Sequence, residues 1–180
     1  MKESAAENER QIKESLAETE RFLKERAAET EKMFKNVSKK LGDLGNRLGE
    51  FVEHSVAPAA LRLFQAEGIE VHEVHSSVEA KRNNEAIEID LLVVNDGALV
   101  VIECKSKLTI DHVDEHVKRM EKLKRLLPLY KNHQAYGAVA AMVMSDSVKN
   151  YAHKHGFYVL YQNGDNIDVS HPATFKPRTW

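Results

Sequence analysis

Glu103 and Lys105 flank a cysteine in ALVVIECKSK, and Asp90 closes IEID with twelve residues between it and Glu103. Side chains alternate along a strand, so Glu103 and Lys105 share one face and Cys104 turns to the other. In the preceding strand Asp90 is expected on one face with Glu88 and Leu92. Charges converging among Ile, Leu and Val are costly to bury unless they bind something. Two carboxylates offer the hard oxygens that Mg²⁺ takes. Such an ion lowers the pKa of bound water and neutralises charge on a phosphoryl oxygen. A neighbouring ammonium orients the attacking water and steadies the negative charge that develops. The bland reading of the trio is a structural ion pair at a sheet edge.

Other residues invite weaker readings. Lys118, Arg119, Lys122, Lys124 and Arg125 crowd one helix, with Lys131 just beyond. They could track phosphates or form a solvated face. Lys81 and Arg82 belong to a hairpin tip, and Lys107 follows the Glu103–Lys105 strand; all three could touch a nucleic-acid backbone. Against strong steering, residues 41–180 hold 16 basic and 19 acidic side chains. His112 and His116 have the i,i+4 spacing that can bind zinc, but a third soft ligand is lacking because Cys104 faces away. Cys104 reads as a small core residue. No Gly-rich phosphate loop is present, so ATP use is not expected.

These residues need elements to position them. Pro58 is expected to open a helix (AALRLFQAE) closed by Gly68. Residues 69–79 read as a strand, KRNNEA as a turn, and 86–94 as a second strand. Asn95-Asp96-Gly97 is a hairpin signal leading to a third strand over 98–104. A helix over 109–127, capped by Thr109 or Asp111, is expected to bury Ile110, Val113, Val117, Met120, Leu123 and Leu127. A strand (136–144), a helix closed by Gly156 and a strand pair around Asn163-Gly164 follow. The tail HPATFKPRTW is expected to run extended along the surface. The class is α/β with a mixed sheet in the order αβββαβ.

With IEID ending in Asp90, Glu103-Cys104-Lys105 after twelve residues, and that element order, the chain resembles the PD-(D/E)XK nuclease superfamily over roughly residues 45–160. The literal Pro-Asp pair is absent, since Ile89 precedes Asp90. The resemblance implies a restriction-endonuclease-like core and a divalent-metal phosphodiesterase, usually acting on DNA, with Mg²⁺ or Mn²⁺. Asp90 and Glu103 would be ligands, with the Cys104 carbonyl as a further one, and Lys105 would position the water. Members often add a glutamate from the first helix; here that is Glu53 or Glu50, with Glu53 favoured. The whole chain is similar to bacterial proteins joining a coiled coil to such a domain.

The coiled coil is legible as a repeat. ENERQIKESLA, ETERFLKERAA and ETEKMFKNVSK are three copies of an eleven-residue unit over residues 7–39. Eleven residues make three helical turns, which predicts a nearly straight or slightly right-handed bundle. The seam runs Ile12, Leu16, Thr19, Leu23, Ala27, Thr30 and Phe34, then Val37, Leu41, Leu44, Leu48 and Phe51. Glu9–Lys13, Glu20–Lys24 and Glu31–Lys35 are i,i+4 pairs in the favourable order. Such a polar helix is expected to associate with copies of itself, as a dimer or tetramer. Gly42, Gly45 and Gly49, at helical spacing, suggest a hinge or a face where another backbone comes close, and the expected domains are 1–44, a coiled coil, and 45–180, a nuclease-like domain.

A formal net charge of −2 and a single cysteine exclude a strongly basic chain and a disulfide framework. No apolar run reaches membrane-spanning length, and MKESAAENERQIKES lacks a secretory signal, so the chain is expected in the cytoplasm. The leading expectation is a metal-dependent nuclease assembled through its coiled coil. The rival is a scaffold or nucleic-acid-binding protein on a nuclease-like fold.

Overall fold

A computed structural model describes residues 2–164 and 166–180, with side chains from residue 10 onward apart from that of Asn46. The elements are α1 (Lys2–Ala66), β1 (Glu73–Arg82), β2 (Glu85–Val94), β3 (Ala98–Lys107), α2 (Ile110–Leu126), a 3₁₀ turn (Pro128–Tyr130), β4 (Gln134–Val143), α3 (Asp146–Lys154), β5 (Tyr158–Asn163) and β6 (Asn166–Ser170). The fold is mixed α/β, and the chain divides into two compact units, Met1–Gly45 and Asn46–Trp180.

In the first unit the seam side chains stand open: Leu23 is 61% and Phe34 72% exposed. The seam threonines turn back on their own helix, Thr19 donating to the Ser15 carbonyl and Thr30 to that of Arg26, both at 2.8 Å. Glu31 pairs with Lys35 at 2.7 Å, while Arg10–Glu14 and Arg21–Glu25 form further i,i+4 pairs at 3.3 Å. All are solvated, so each adds a few tenths of a kcal/mol, about 0.2–0.5. The Glu9–Lys13 pair lies outside the described side chains.

In the second unit the six strands form one sheet in sequence order. β4 runs parallel to β3 and β5, and the other neighbours are antiparallel. The C-terminal part of α1 covers one face, burying Val52, Val56, Ala60, Leu63 and Phe64 at one-turn spacing against Leu91, Val100, Ile102 and Leu160. Helices α2 and α3 cover the other, burying Val113, Met120, Leu123, Val148 and Ala152 against Val101, Val139 and Phe157.

Pro58 does not open a new helix; it sits inside α1. It lacks the N–H that the His54 carbonyl would accept, but Pro58 and His54 are both exposed, so water can serve that carbonyl. The buried stripe continues across it and holds the helix together. The β1–β2 turn is Asn83-Asn84, with φ of 50° and 63°, left-handed values that asparagine tolerates and a two-residue hairpin needs. The tail is more anchored than expected. Trp180 N–H donates to the Ala135 carbonyl at 3.0 Å, and its ring stacks on Phe157 with centroids 5.9 Å apart.

Candidate metal and phosphodiester site

The site begins where the sheet forks. β2 and β3 are paired only near their hairpin, from Val94↔Leu99 to Leu91↔Ile102. Asp90 and Glu103 are the next residues on each strand. Beyond them β2 stays with β1 as far as Glu85, and β3 stays with β4 as far as Lys107. Asp90 Oδ2 accepts the backbone N–H of Cys104 at 2.7 Å, so a carboxylate takes up the ladder's role at the fork.

The strand pattern changes phase there. Leu91 and Val93 pack under α1, whereas Ile87 and Ile89, of the same parity, pack under α2. β1 does the same: Val74 lies with the α1 face, Val78 and Ala80 with the α2 face. The register is unbroken, but the Ser77–Asp90 pair is missing from it, and Ser77 has φ of 53°. The expected sharing of one face by Glu88, Asp90 and Leu92 is therefore corrected. Leu92 faces α2, Glu88 is exposed, and Asp90 points into the fork. The change falls where the left-handed Ser77 lies opposite Asp90.

β3 is regular, and Cys104 is buried on the α1 side, away from Glu103 and Lys105. Glu103 is 1% exposed, yet it is ionically satisfied. Lys105 Nζ lies 2.7 Å from Glu103 Oε1 and 3.7 Å from Asp90 Oδ2. Arg119, on α2, bonds Glu103 Oε2. Burial pushes the Glu103 carboxyl above the usual carboxylate range, and Asp90 adds to this against the pull of Arg119 and Lys105. Burial alone would lower the Lys105 pKa, but its bond to Glu103 and the charges of Glu103 and Asp90 outweigh it, and the net direction is up.

Glu53 is the first-helix acid that senses this cluster. Burial and then the charge of Asp90 raise its pKa, while Lys105 lowers it. For Cys104, burial first and then Asp90, Glu53 and Glu103 push the thiol well above its ordinary value, which suits a packing residue and not a nucleophile.

Among the described residues no three His, Cys, Asp or Glu side chains form a metal-ligand cluster by themselves. The donor chemistry nonetheless fits a hard divalent cation. Asp90 and Glu103 supply carboxylate oxygens at the fork, β3 can add the Cys104 carbonyl, and Glu53 lies close enough to couple to Asp90. With Glu53 ionised, Glu53, Asp90, Glu103, Lys105 and Arg119 together carry one net negative charge, which a cation would relieve.

The basic residues separate. Lys81 and Lys122 line a groove with Glu79, Glu88 and Arg119, next to the cluster. Lys122 also donates to the Ala86 carbonyl at 2.6 Å and Arg82 to that of Leu126 at 3.1 Å, so both tie the β1–β2 hairpin to α2. Arg125 pairs with Glu85 for the same purpose. Lys107 and Lys118 are exposed.

The histidines do not form a zinc pair. His112 closes a capping box with Thr109, its Nδ1 accepting the Thr109 N–H at 3.3 Å. His116 is fully buried, with Nε2 3.3 Å from the Val101 carbonyl and Nδ1 3.2 Å from Arg119. Burial, reinforced by Arg119, lowers its pKa to about 3. The buried stripe of α2 is Val113, His116, Met120, Leu123 and Leu126, in place of the expected Ile110, Val117 and Leu127. The sequence offers Arg119 only as one of a basic group on this helix and His116 only as half of a zinc pair, not as supports of Glu103. The available signal was a histidine in a core slot followed one turn later by an arginine.

No family model matches this chain, and no curated protein does. Two solved structures are similar at low levels. One is a protein of unknown function, AF1548, at 18% identity and TM-score 0.45, covering 69% of this chain and 62% of its own. The other is a repair endonuclease from Pyrococcus abyssi, at 19% identity and TM-score 0.35, covering 60% of this chain and 45% of its own. This chain thus spans less than two thirds of either neighbour.

Proposed function

We propose that this chain is a Mg²⁺- or Mn²⁺-dependent nuclease hydrolysing phosphodiester bonds, with DNA as its first substrate class. The observation that carries the reading is the fork: Asp90, Glu103 and Lys105, apart in sequence, meet where β2 leaves β3. The PD-(D/E)XK resemblance of the same residues supports it. Asp90, Glu103 and the Cys104 carbonyl would hold the ion. When bound, such an ion supplies an acidified water and charge neutralisation at the phosphate. Lys105, kept protonated by Glu103, orients the incoming oxygen and donates toward the negative charge on the phosphoryl oxygens. Glu53, whose pKa is raised, takes the proton released at its carboxylate. Lys81 and Lys122, in the adjoining groove, and Arg82, Lys107 and Lys118 meet backbone phosphates. In this reading the exposed seam of the first unit joins two or four copies in the cytoplasm.

One observation favours the rival, a non-catalytic scaffold or binding protein. Both oxygens of Glu103 are already engaged, by Lys105 and Arg119, as in a structural ion cluster. A cleavage assay separates the two. Supercoiled plasmid, linear duplex, single-stranded DNA and RNA are incubated with Mg²⁺, Mn²⁺ or EDTA, beside Lys105→Ala. Metal-dependent cutting lost in the variant is the expected result. Folded, metal-bound protein that cuts none of them would leave the scaffold.

A further inference from the structure

Glu103 is held from α2 as well as from β3, and the hold is itself braced. His116 is wedged into the core with its ring 4.7 Å from that of Phe157. Gly137 makes this fit, because a Cβ there would lie 2.4 Å from the Phe157 ring. The His116 Nε2–H donates to the Val101 carbonyl, two residues before Glu103 on the same face of β3. That leaves Nδ1 as an acceptor, and it faces the Arg119 guanidinium at 3.2 Å. The same NH1 group of Arg119 reaches Glu103 Oε2, while Glu103 Oε1 faces Lys105, the neighbour of Asp90. Val101, His116, Arg119 and Glu103 thus form one continuous line of polar contacts ending in the fork.

We propose that Arg119, oriented by His116, is a positioning residue for Glu103: it fixes the rotation of the carboxylate so that Oε1 is presented to the fork beside Lys105 and Asp90. The inference rests on the nuclease reading of the fork and adds to it two residues that act through Glu103, one fully buried and one partly so. A planar guanidinium held at one corner sets direction as well as charge, which a lysine ammonium does not. Removing partners that orient metal-binding carboxylates typically weakens metal affinity or activity about 10- to 100-fold.

The test measures Mn²⁺ binding by calorimetry on the full chain, with urea unfolding beside it. The variants are Arg119→Gln, Arg119→Lys and His116→Phe, with Leu123→Ala as a core control that destabilises without touching the polar line. Wild type is expected to bind Mn²⁺. Arg119→Gln and His116→Phe are expected to bind it about tenfold more weakly or worse. Arg119→Lys should recover stability but not affinity, and Leu123→Ala should lose stability and keep affinity. Variants that bind Mn²⁺ as tightly as wild type, or more tightly, would reduce Arg119 to a counter-charge and overturn the positioning role alone. Equal weakening in Leu123→Ala would overturn it too, since lost stability would then account for everything. A wild type that binds no Mn²⁺ would overturn both this inference and the nuclease reading.

Discussion

Asp90 Oδ2 accepts the backbone N–H of Cys104 at 2.7 Å, at the point where β2 and β3 part. One side chain therefore has a structural duty and, in the proposed reaction, a ligand's duty. The two separate by substitution. Asp90→Asn keeps an oxygen acceptor for the Cys104 N–H; Asp90→Ala does not, and leaves that donor without its partner. Asp90→Ala should lose about 1–3 kcal/mol in urea unfolding and Asp90→Asn much less. Both should lose Mn²⁺ binding and cleavage. Comparable stability losses in the two variants would mean that the hydrogen bond is not what holds the fork.

Glu103 is the most consequential residue of the cluster for stability. Replacing it by alanine strands Lys105 and Arg119, both partly buried, without their shared partner. Removing one member of a buried ion pair is expected to cost about 3–5 kcal/mol, and the exposure of Lys105 places this case at or below the low end. Mn²⁺ should stabilise the wild type by mass action, by about 2.7 kcal/mol at a hundredfold excess over Kd, and so raise its melting temperature. Glu103→Ala should lose that rise. A wild-type melting temperature indifferent to both Mg²⁺ and Mn²⁺ would count heavily against a metal site.

How much of this was legible in the sequence follows from how regular each strand is. β3 alternates without interruption, so the shared face of Glu103 and Lys105 and the opposite face of Cys104 could be read directly. β2 does not. Its phase change at Asp90 is matched by the left-handed Ser77 on the neighbouring strand, a position with no glycine to mark it. Asp90 was therefore identified by its type and spacing and given the wrong companions. The charges of α2 look alike in a string, and only packing shows that Arg119 turns inward while Lys118 stays in water. Pro58 misled for the opposite reason: a strong local signal was overridden by a buried stripe that continues past it.

Ser77 offers a test of that phase change. A non-glycine residue at φ of 53° carries strain that glycine would not. Ser77→Gly should raise stability slightly, by about 0.5 kcal/mol, since relief of strain is partly offset by the freer unfolded chain. Ser77→Val, branched at Cβ, should lower it by more than about 1 kcal/mol. The check is urea unfolding of both. A valine variant as stable as wild type would mean that Ser77 does not adopt this backbone.

His116 sets a pH dependence with a definite sign. Its folded pKa, about 3, lies below its ordinary value of 6.5. Below 6.5 the unfolded chain takes up a proton that the folded chain refuses, so this residue lowers stability progressively as pH falls from 6.5 toward 3. The full loss is on the order of 5 kcal/mol. Glu53 and Glu103 act in the opposite sense, because their raised folded pKa values favour the folded state once they are protonated. Comparing wild type with His116→Phe between pH 7 and pH 4 isolates the histidine. The variant's melting temperature should fall less steeply with acid, and parallel curves would contradict a buried neutral His116.

Among the described residues, the seam side chains Ile12, Leu16, Leu23, Phe34 and Leu41 of the first unit all stand more than half exposed. Its charges lie in solvated pairs that stabilise the helix by only tenths of a kcal/mol each, about 0.2–0.5. An isolated helix with this much open apolar surface gains by burying it against a copy of itself. The eleven-residue period keeps the stripe nearly straight, so Leu16 and Leu23 lie on the face of any such contact. Deleting residues 1–40 should reduce the mass measured by light scattering to that of one chain. Leu16→Glu with Leu23→Glu should do the same with the chain length kept. If the catalytic reading is also right, the single-chain form should retain Mn²⁺ binding while losing paired cuts on duplex DNA. A full-length protein already of single-chain mass would dispose of the assembly and leave the site untouched.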